Sequence, residues 1–215
     1  LGRFVDSNNK QFSQTIETVL DKIHSDGYGV IENAIPDDLI KQLHQDCIKH
    51  PEKFNPAGIG RQQDFKTDKK IRTDKTFWLD DCNPEQKNFL SLMEHIRTSL
   101  NRSFYLGLFD YESHFAKYEI GDFYKKHLDA FKGRSNRVFS TVCYLNTPSK
   151  GGELLIYAEN SNDVIARVSP KAGTLVVFES ERFAHEVLAA DDVRYSIAGW
   201  FRTNNSIAGT LDPSS

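Results

Sequence analysis

Cysteine, long apolar runs and surplus positive charge are all scarce in this 215-residue chain. Its three cysteines form no CxxC pair, so neither a disulfide framework nor a cysteine-rich zinc site is expected. No apolar run approaches the roughly 18 residues that a membrane-spanning helix requires, and the opening residues show no secretory signal. The 27 basic and 30 acidic residues give a formal charge of −3, which disfavours nucleic acid as a partner. We therefore expect a cytoplasmic globular monomer without membrane or nucleic-acid partners.

The first half of the chain has the texture of helices. Apolar residues at helical spacing predict helices over residues 10–25, after Pro36, and over residues 84–100, with a short strand beginning at Val30. Residues 50–70 carry proline, glycine, lysine and aspartate without periodicity, and we interpret them as a long exposed loop. Long loops in compact domains often act as lids, so residues 55–70 are predicted to be mobile.

Eight short runs of β-branched and aromatic residues follow Tyr105. They predict strands near residues 111–120, 124–129, 138–146, 153–157, 164–168, 174–178, 185–188 and 194–202. Helices followed by strands are typical of an α+β protein, and eight short antiparallel strands suit a double-sheet jelly roll. We expect one domain, with a helical part at about 1–104, a jelly-roll core at about 105–203 and a polar, mobile tail at 204–215.

The motif His127-x-Asp129, followed by His185, indicates a metal site. On a strand, residues i and i+2 point to the same face, so the first two side chains can converge on one ion. Two imidazoles and one carboxylate leave about three coordination positions open, as in non-haem Fe(II) oxygenases. Each of these residues alone is more often an ordinary surface or strand residue, and the motif gains its weight from its surroundings.

Arg194, nine residues after His185, is the candidate anion site. A guanidinium is always charged and its planar fork matches a carboxylate. By strand alternation Arg194 and Trp200 share one face, and an arginine buried on that face would need an anion. A structural ion pair with a nearby acid such as Asp191 is the alternative.

Several longer segments surround these residues. They are residues 118–129, 144–146, 151–157, 173–178, 185–187 and 194–201. Together they resemble the 2-oxoglutarate-dependent prolyl hydroxylase family, and most of all the branch of the hypoxia-inducible-factor prolyl hydroxylases and their bacterial relatives. The resemblance spans roughly residues 27–203. It implies a double-stranded β-helix with the helices packed on one sheet.

The resemblance also implies a reaction and its cofactors. Fe(II) would be held by His127, Asp129 and His185, with 2-oxoglutarate and O2 as co-substrates and ascorbate as a further candidate cofactor. Hydroxylation of a prolyl residue would be coupled to decarboxylation of 2-oxoglutarate to succinate and CO2. Arg194 and Tyr144 would bind the distal carboxylate of the co-substrate.

Tyrosine residues on either side of the metal strand have expected roles in the same family. Tyr118 would lie near the iron and the co-substrate, and Tyr124 close to the target proline. The two are six residues apart here, whereas the animal oxygen sensors carry one more residue between them.

The substrate side of the site is expected to include Tyr124, Trp200, Arg137, Arg72 and Asp74. Trp200 matches an aromatic wall beside the substrate proline, with plain core packing as the alternative. Arg72 and Asp74 match a second family signature at residues 72–78, and Arg137 matches an arginine implicated in substrate binding. We predict an ion pair between Asp74 and Arg137, the alternative being that both are solvated.

The expected substrate is a proline in a loop of another protein. Bacterial relatives act on elongation factor Tu and animal relatives on a transcription factor, and the short frame of this chain favours the former. Three alternatives stay open: hydroxylation of another residue or a small molecule, nucleic-acid demethylation, and a non-catalytic binding module. Demethylases carry an arginine six residues after the anchoring arginine, where this chain has Trp200. A binding module usually lacks a metal ligand, and none is lost here.

Overall fold

The computed structural model describes residues 2–58, 68–130 and 136–203. The helices are α1 (Gly2–Asp26), α2 (Asp37–Lys49) and α3 (Pro84–Phe104), with a 3₁₀ turn at Pro51–Lys53. The strands are β1 (Tyr28–Ile31), β2 (Asn55–Pro56), β3 (Lys75–Trp78), β4 (Leu108–Tyr118), β5 (Tyr124–His127), β6 (Arg137–Tyr144), β7 (Leu154–Tyr157), β8 (Val164–Val168), β9 (Leu175–Glu179), β10 (His185–Val187) and β11 (Arg194–Thr203). None of the helices within these ranges is both long and apolar enough to cross a membrane.

The strands form two antiparallel sheets. The major sheet has the order β1-β9-β6-β11-β4-β3-β2, and the minor sheet has the order β5-β10-β7-β8. The eight strands predicted after residue 105 correspond to β4 through β11, so the predicted α+β jelly roll is confirmed. Three earlier strands also join the major sheet, which therefore draws on the part of the chain that was expected to be helical.

The expectation of one unbroken loop over residues 50–70 is wrong at its first part. Asn55 and Pro56 pair with Thr76 and Lys75, so β2 forms the edge of the major sheet. The predicted lid falls largely on residues 59–67, and the predicted mobile tail on residues 204–215. Both of these stretches lie outside the described residues.

The helices bury one face of the major sheet. In α3 the residues at helical spacing are fully buried, each stabilising the fold by about 1.5–3 kcal/mol: Phe89, Met93, Ile96 and Leu100. They belong to one cluster with apolar side chains of the sheet, among them Phe115, Ile197 and Phe201. A second apolar cluster fills the space between the two sheets and includes Tyr144, Ile156 and Phe178. The candidate site lies beside this second cluster, between the two sheets.

Asn83 is the N-cap of α3. Its side-chain oxygen accepts hydrogen bonds from the backbone N–H groups of Glu85 and Gln86, at 2.9 and 3.2 Å. We predict that Asn83→Ala lowers the free energy of unfolding by about 1 kcal/mol, because two N–H groups of the first turn lose their acceptor. Urea unfolding measures the difference, with Asn83→Asp as the control that keeps an acceptor. Equal midpoints for the Ala variant and the wild type would contradict this account of the helix start.

Candidate metal and co-substrate site

Two paired strands of the minor sheet bring the three proposed metal ligands together. His127 ends β5 and stands directly opposite His185, the first residue of β10. The predicted strand over 124–129 ends at His127, and Asp129 lies in the bend two residues further on. Its carboxylate oxygens lie 3.5 Å from His127 Nε2 and 3.5 Å from His185 Nε2. One ligand atom from each residue falls within 4.8 Å of the others, so a single ion can contact all three.

Backbone carbonyls orient both imidazoles. His127 Nδ1 lies 2.7 Å from the carbonyl oxygen of Lys125, and His185 Nδ1 lies 3.3 Å from that of Phe183. A carbonyl can only accept, so Nδ1 of each ring carries the proton. The Nε2 lone pairs are then free to bind a metal, in the arrangement usual for metal-ligating histidines.

The surroundings of His185 keep it neutral. Burial, reinforced by the neighbouring His127, lowers the pKa of His185 to about 4. A neutral imidazole is the form that binds metal, so this ligand does not have to lose a proton at physiological pH.

Asp129 is held by two side chains of the major sheet. Its Oδ2 accepts from Ser140 Oγ at 2.7 Å and from Trp200 Nε1 at 2.9 Å. Burial opposes its ionisation, but His185 and His127 outweigh that effect and hold the pKa of Asp129 well below its ordinary value. The carboxylate is therefore charged and fixed in direction.

The contact between Trp200 and Asp129 was not anticipated. The sequence placed Trp200 beside the substrate, or in the core, and the structure places its indole N–H against a proposed metal ligand. A usable signal was present, since a tryptophan on the same strand face as a buried Arg194 needs an acceptor for its N–H. Ser140, which also contacts Asp129, was missed because a lone serine in a strand carries no pattern.

Arg194 is buried in a chamber where it forms no ion pair with an acid among the described residues. Only 1% of the residue is exposed, and its guanidinium carbon lies 4.7 Å from the Tyr118 ring and 4.9 Å from the Tyr144 ring. Its Nε and Nη1 have no hydrogen-bond partner among the described residues, and neither do the hydroxyls of Tyr144 and Thr174. The alternative partner Asp191 pairs instead with Lys150, at 3.4 Å.

A buried cation without a partner costs several kcal/mol, by order of magnitude, so the chamber is suited to an incoming anion. The distal carboxylate of 2-oxoglutarate fits this donor set. It could accept from the guanidinium fork and from two hydroxyls. Thr174 had not been identified as a candidate from the sequence, because the resemblance of the segment 173–178 assigned it no role.

Two glycines give Arg194 its space. Gly151 and Gly152 both have positive φ, at 75° and 72°. A Cβ on Gly152 would lie 3.2 Å from Cδ of Arg194 and 3.0 Å from Cβ of Ala190, and one on Gly151 would lie 2.6 Å from a backbone oxygen. The two glycines lie between β6 of the major sheet and β7 of the minor sheet, so they form no β-hairpin, and the backbone passes close to the chamber of Arg194 here.

Aromatic rings continue the site beyond the metal ligands. The Tyr124 ring stacks on His127 with centroids 3.5 Å apart and planes 14° apart, and Arg72 lies 4.2 Å above the Tyr124 ring. Burial raises the pKa of Tyr124 to about 12, so its hydroxyl stays protonated. On the other side, the Arg137 guanidinium lies 3.5 Å over the Trp200 ring.

The predicted ion pair between Asp74 and Arg137 is wrong. Asp74, which is 1% exposed, accepts from Arg72 at 2.8 and 2.6 Å. Arg137 donates instead to Glu112, at 2.9 Å through Nε. Asp74 directly precedes β3 and Glu112 lies on β4, and each acid pairs with the arginine within its reach, which residue spacing alone does not reveal.

The family model described as 2OG-Fe(II) oxygenase superfamily matches residues 113–202, which include the metal triad and Arg194. No curated protein sequence matches the chain. The match defines the class, an oxygenase that uses Fe(II) and 2-oxoglutarate.

The chain is also similar to solved structures of prolyl hydroxylases. A Pseudomonas putida prolyl-4-hydroxylase is 34% identical, with a TM-score of 0.80, covering 88% of this chain and 100% of that one. A Trichoplax adhaerens prolyl hydroxylase is 24% identical, with a TM-score of 0.77, covering 90% and 91%. A Phytophthora capsici prolyl 4-hydroxylase is 19% identical, with a TM-score of 0.70, covering 90% and 65%.

The chain belongs to the 2-oxoglutarate/Fe(II) prolyl hydroxylase family, as the resemblance predicted. It is a 2-oxoglutarate-dependent dioxygenase, and membership brings with it Fe(II), 2-oxoglutarate and O2.

Trp200 gives a test of how the metal ligand Asp129 is oriented. Trp200→Phe keeps an aromatic ring but removes the N–H donor, and we predict that Mn(II) binds about tenfold more weakly, as for other outer contacts of metal ligands. Calorimetric titration of the metal-free protein with Mn(II) measures the constant. Trp78→Phe is the matched control, because Trp78 contacts His114 and not Asp129. A Trp200 variant with wild-type affinity would show that Ser140 suffices.

Proposed function

We propose that this chain is a peptidyl-prolyl 4-hydroxylase acting on a proline in a loop of another protein, with elongation factor Tu as the candidate substrate. The observation that carries the proposal is the buried Arg194 guanidinium, whose Nε and Nη1 have no hydrogen-bond partner among the described residues, in the same barrel as His127, Asp129 and His185. A ligand that fits both groups must offer a carboxylate to Arg194 and metal-binding oxygen atoms to the triad.

In this proposal each end of the co-substrate has its own residues. Arg194 binds the distal carboxylate through its fork, and the hydroxyls of Tyr144 and Thr174 complete the donor set. Burial raises the pKa of Tyr144 and of Tyr118, so both phenols stay protonated and able to donate. Tyr118, whose ring lies against Arg194, closes the side of the chamber that leads toward the metal.

The triad residues hold the metal. His127 and His185 present Nε2, while Asp129 presents a carboxylate whose direction Ser140 and Trp200 fix. When bound, Fe(II) with O2 and 2-oxoglutarate supplies the oxidising chemistry that inserts one oxygen atom into a C–H bond and yields succinate and CO2. The chain's own contribution is to bind, orient and exclude water around the reacting atoms.

The residues at the mouth of the site suit a prolyl ring within a polypeptide. Tyr124 and Trp200 are aromatic walls of the site, whose ring faces carry the guanidinium groups of Arg72 and Arg137, and a pyrrolidine ring has no N–H to satisfy. The Arg137 side chain is 17% exposed, so its guanidinium can reach the backbone carbonyls flanking a target residue. The Trichoplax neighbour was solved in complex with a hypoxia-inducible-factor oxygen degradation domain peptide fragment, which supports a peptide or protein as substrate.

The remaining expectations belong to the same proposal. The enzyme would act as a cytoplasmic monomer, without nucleic-acid or membrane partners, and ascorbate would support its turnover. Residues 72–78 would act on the substrate protein through Arg72, which the buried Asp74 holds over Tyr124 on the metal strand.

Arg194 should set the affinity for the co-substrate. We predict that Arg194→Ala raises the KM for 2-oxoglutarate at least about tenfold, because a charge-assisted contact contributes roughly 1.5–3 kcal/mol. Arg194→Lys should restore only part of the affinity, since an ammonium cannot form the bidentate contact. Succinate production against 2-oxoglutarate concentration measures this. Arg167→Ala serves as control, being a mostly exposed arginine paired with Glu153. A KM unchanged in the Ala variant would place the carboxylate elsewhere.

The substrate assignment is tested by mass spectrometry. We predict that intact elongation factor Tu or a proline-containing peptide gains one oxygen atom on a prolyl residue, while free proline reacts far more slowly. His127→Ala is the inactive control, because it removes a metal ligand. Free proline proving better than every peptide and protein tried would refute a protein substrate.

The pair of Arg72 and Asp74 supplies a variant on the substrate side only. Asp74→Ala releases Arg72 from its place over Tyr124, so protein hydroxylation should fall more than uncoupled 2-oxoglutarate turnover. An equal fall in both reactions would mean that the pair acts on the metal site instead.

A further inference from the structure

Four charged side chains form a row beside the site, which we call the charge row: Asp110, Arg202, Glu112 and Arg137. They lie on three adjacent strands of the major sheet, because Asp110 stands opposite Arg202 across β4 and β11, and Arg202 stands opposite Arg137 across β11 and β6. Only 7% of the Glu112 side chain and 6% of the Arg202 side chain are exposed. Burying charges this deeply is costly unless they are paired, and here each acid meets an arginine.

Glu112 is the link between the two arginines. Its Oε2 accepts from Arg202 Nη1 at 3.0 Å, and its Oε1 accepts from Arg137 Nε at 2.9 Å and Nη2 at 2.8 Å. Arg202 also donates to Asp110, so it retains an acid partner apart from Glu112. Of the two contacts of Glu112, the one with Arg137 is therefore the one that leads to the proposed substrate-binding residues.

The Glu112 contact fixes Arg137 against the face of an indole. The guanidinium carbon of Arg137 lies 3.5 Å from the centre of the Trp200 ring, and Trp200 in turn donates to Asp129 at 2.9 Å. A continuous path of contacts thus runs from Glu112 through Arg137 and Trp200 to a proposed metal ligand. A cation over an aromatic face and a carboxylate at its edge together leave a long side chain little freedom.

We infer that Glu112 is a positioning residue for substrate binding. It holds the Arg137 guanidinium flat on Trp200, ready to receive the backbone carbonyls next to the target proline. Because the guanidinium is fixed before substrate arrives, less freedom is lost on binding. This inference rests on the proposed function, in which Arg137 contacts the substrate. It adds a residue that itself touches neither the metal, the co-substrate nor the target ring.

The kinetic test uses Glu112→Gln, which keeps the shape and an acceptor but removes the charge. The KM for the prolyl peptide or protein should rise about tenfold, as expected when a charge-assisted contact is weakened. The KM for 2-oxoglutarate and the affinity for Mn(II) should stay at wild-type values. In an Arg137→Ala background the same change should have no further effect on the substrate KM. Additive effects of the two changes would overturn the inference.

Asp110→Asn is the matched control. It removes one acid from the same charge row, at the end remote from Arg137, and should leave the substrate KM unchanged. An equal rise in KM for this variant would mean that the row supports only the fold. Should Glu112→Gln fail to fold, Glu112→Asp keeps the charge for Arg202 but is one methylene too short to reach both arginines. A folded Asp variant with wild-type KM would also overturn the inference.

A spectroscopic test needs no substrate. The chain has two tryptophans, so Trp78→Phe leaves Trp200 as the sole emitter. In that background Glu112→Gln should change the Trp200 emission in the same direction as Arg137→Ala, because both remove the cation from the ring face. Unchanged emission would show that Arg137 stays on Trp200 without Glu112. This reading is independent of whether any prolyl substrate is hydroxylated, so failure of the proposed function and failure of this inference are told apart.

Discussion

The buried guanidinium of Arg194 constrains how the rest of this protein is built. Arg194 is 1% exposed and two of its donor atoms have no partner among the described residues. Desolvating a guanidinium without an anion costs free energy of folding, so other interactions must offset that cost. The apolar clusters on both faces of the major sheet are the main source, since burial of large side chains is the chief favourable term in folding. An anion bound at Arg194 would therefore offset a desolvation cost that, without it, the packing of the apolar clusters has to offset.

The two sheets divide the chemistry between them. The minor sheet supplies His127 and His185, and the major sheet supplies Arg194, Tyr144 and the side chains that hold Asp129. Asp129 is the point where they meet, because it follows a strand of one sheet and accepts hydrogen bonds from the other. Small shifts between the sheets would alter the distance from the proposed metal ligands to Arg194, which a co-substrate held at both ends would have to span.

Much of the fold and the triad could be predicted from the sequence, because they depend on local periodicity and on residue types with narrow chemical uses. Strand alternation places Arg194 on the same face as Trp200, whereas Asp129 lies beyond the end of β5 and was identified by residue type and spacing. Pairings between distant charges could not be predicted, since Arg137 has several acids at plausible distance in the chain and only the register of β4 with β6 and β11 selects Glu112. A two-residue strand such as β2 is too short to show any periodicity. Thr174 and Ser140 gain their importance from what lies opposite them, which no local pattern records.

The helical layer over the major sheet also decides what can be removed from this protein. The region matched by the superfamily model, residues 113–202, contains the metal triad and Arg194 but not α1, α2 or α3. Without those helices the face bearing Phe115, Ile197 and Phe201 would meet water, and without β1 the backbone of β9 would become an open sheet edge. Bare apolar faces and unpaired edges recruit other chains. The segment that carries the chemistry is therefore not a minimal enzyme, and a version trimmed to it would aggregate before it could turn over.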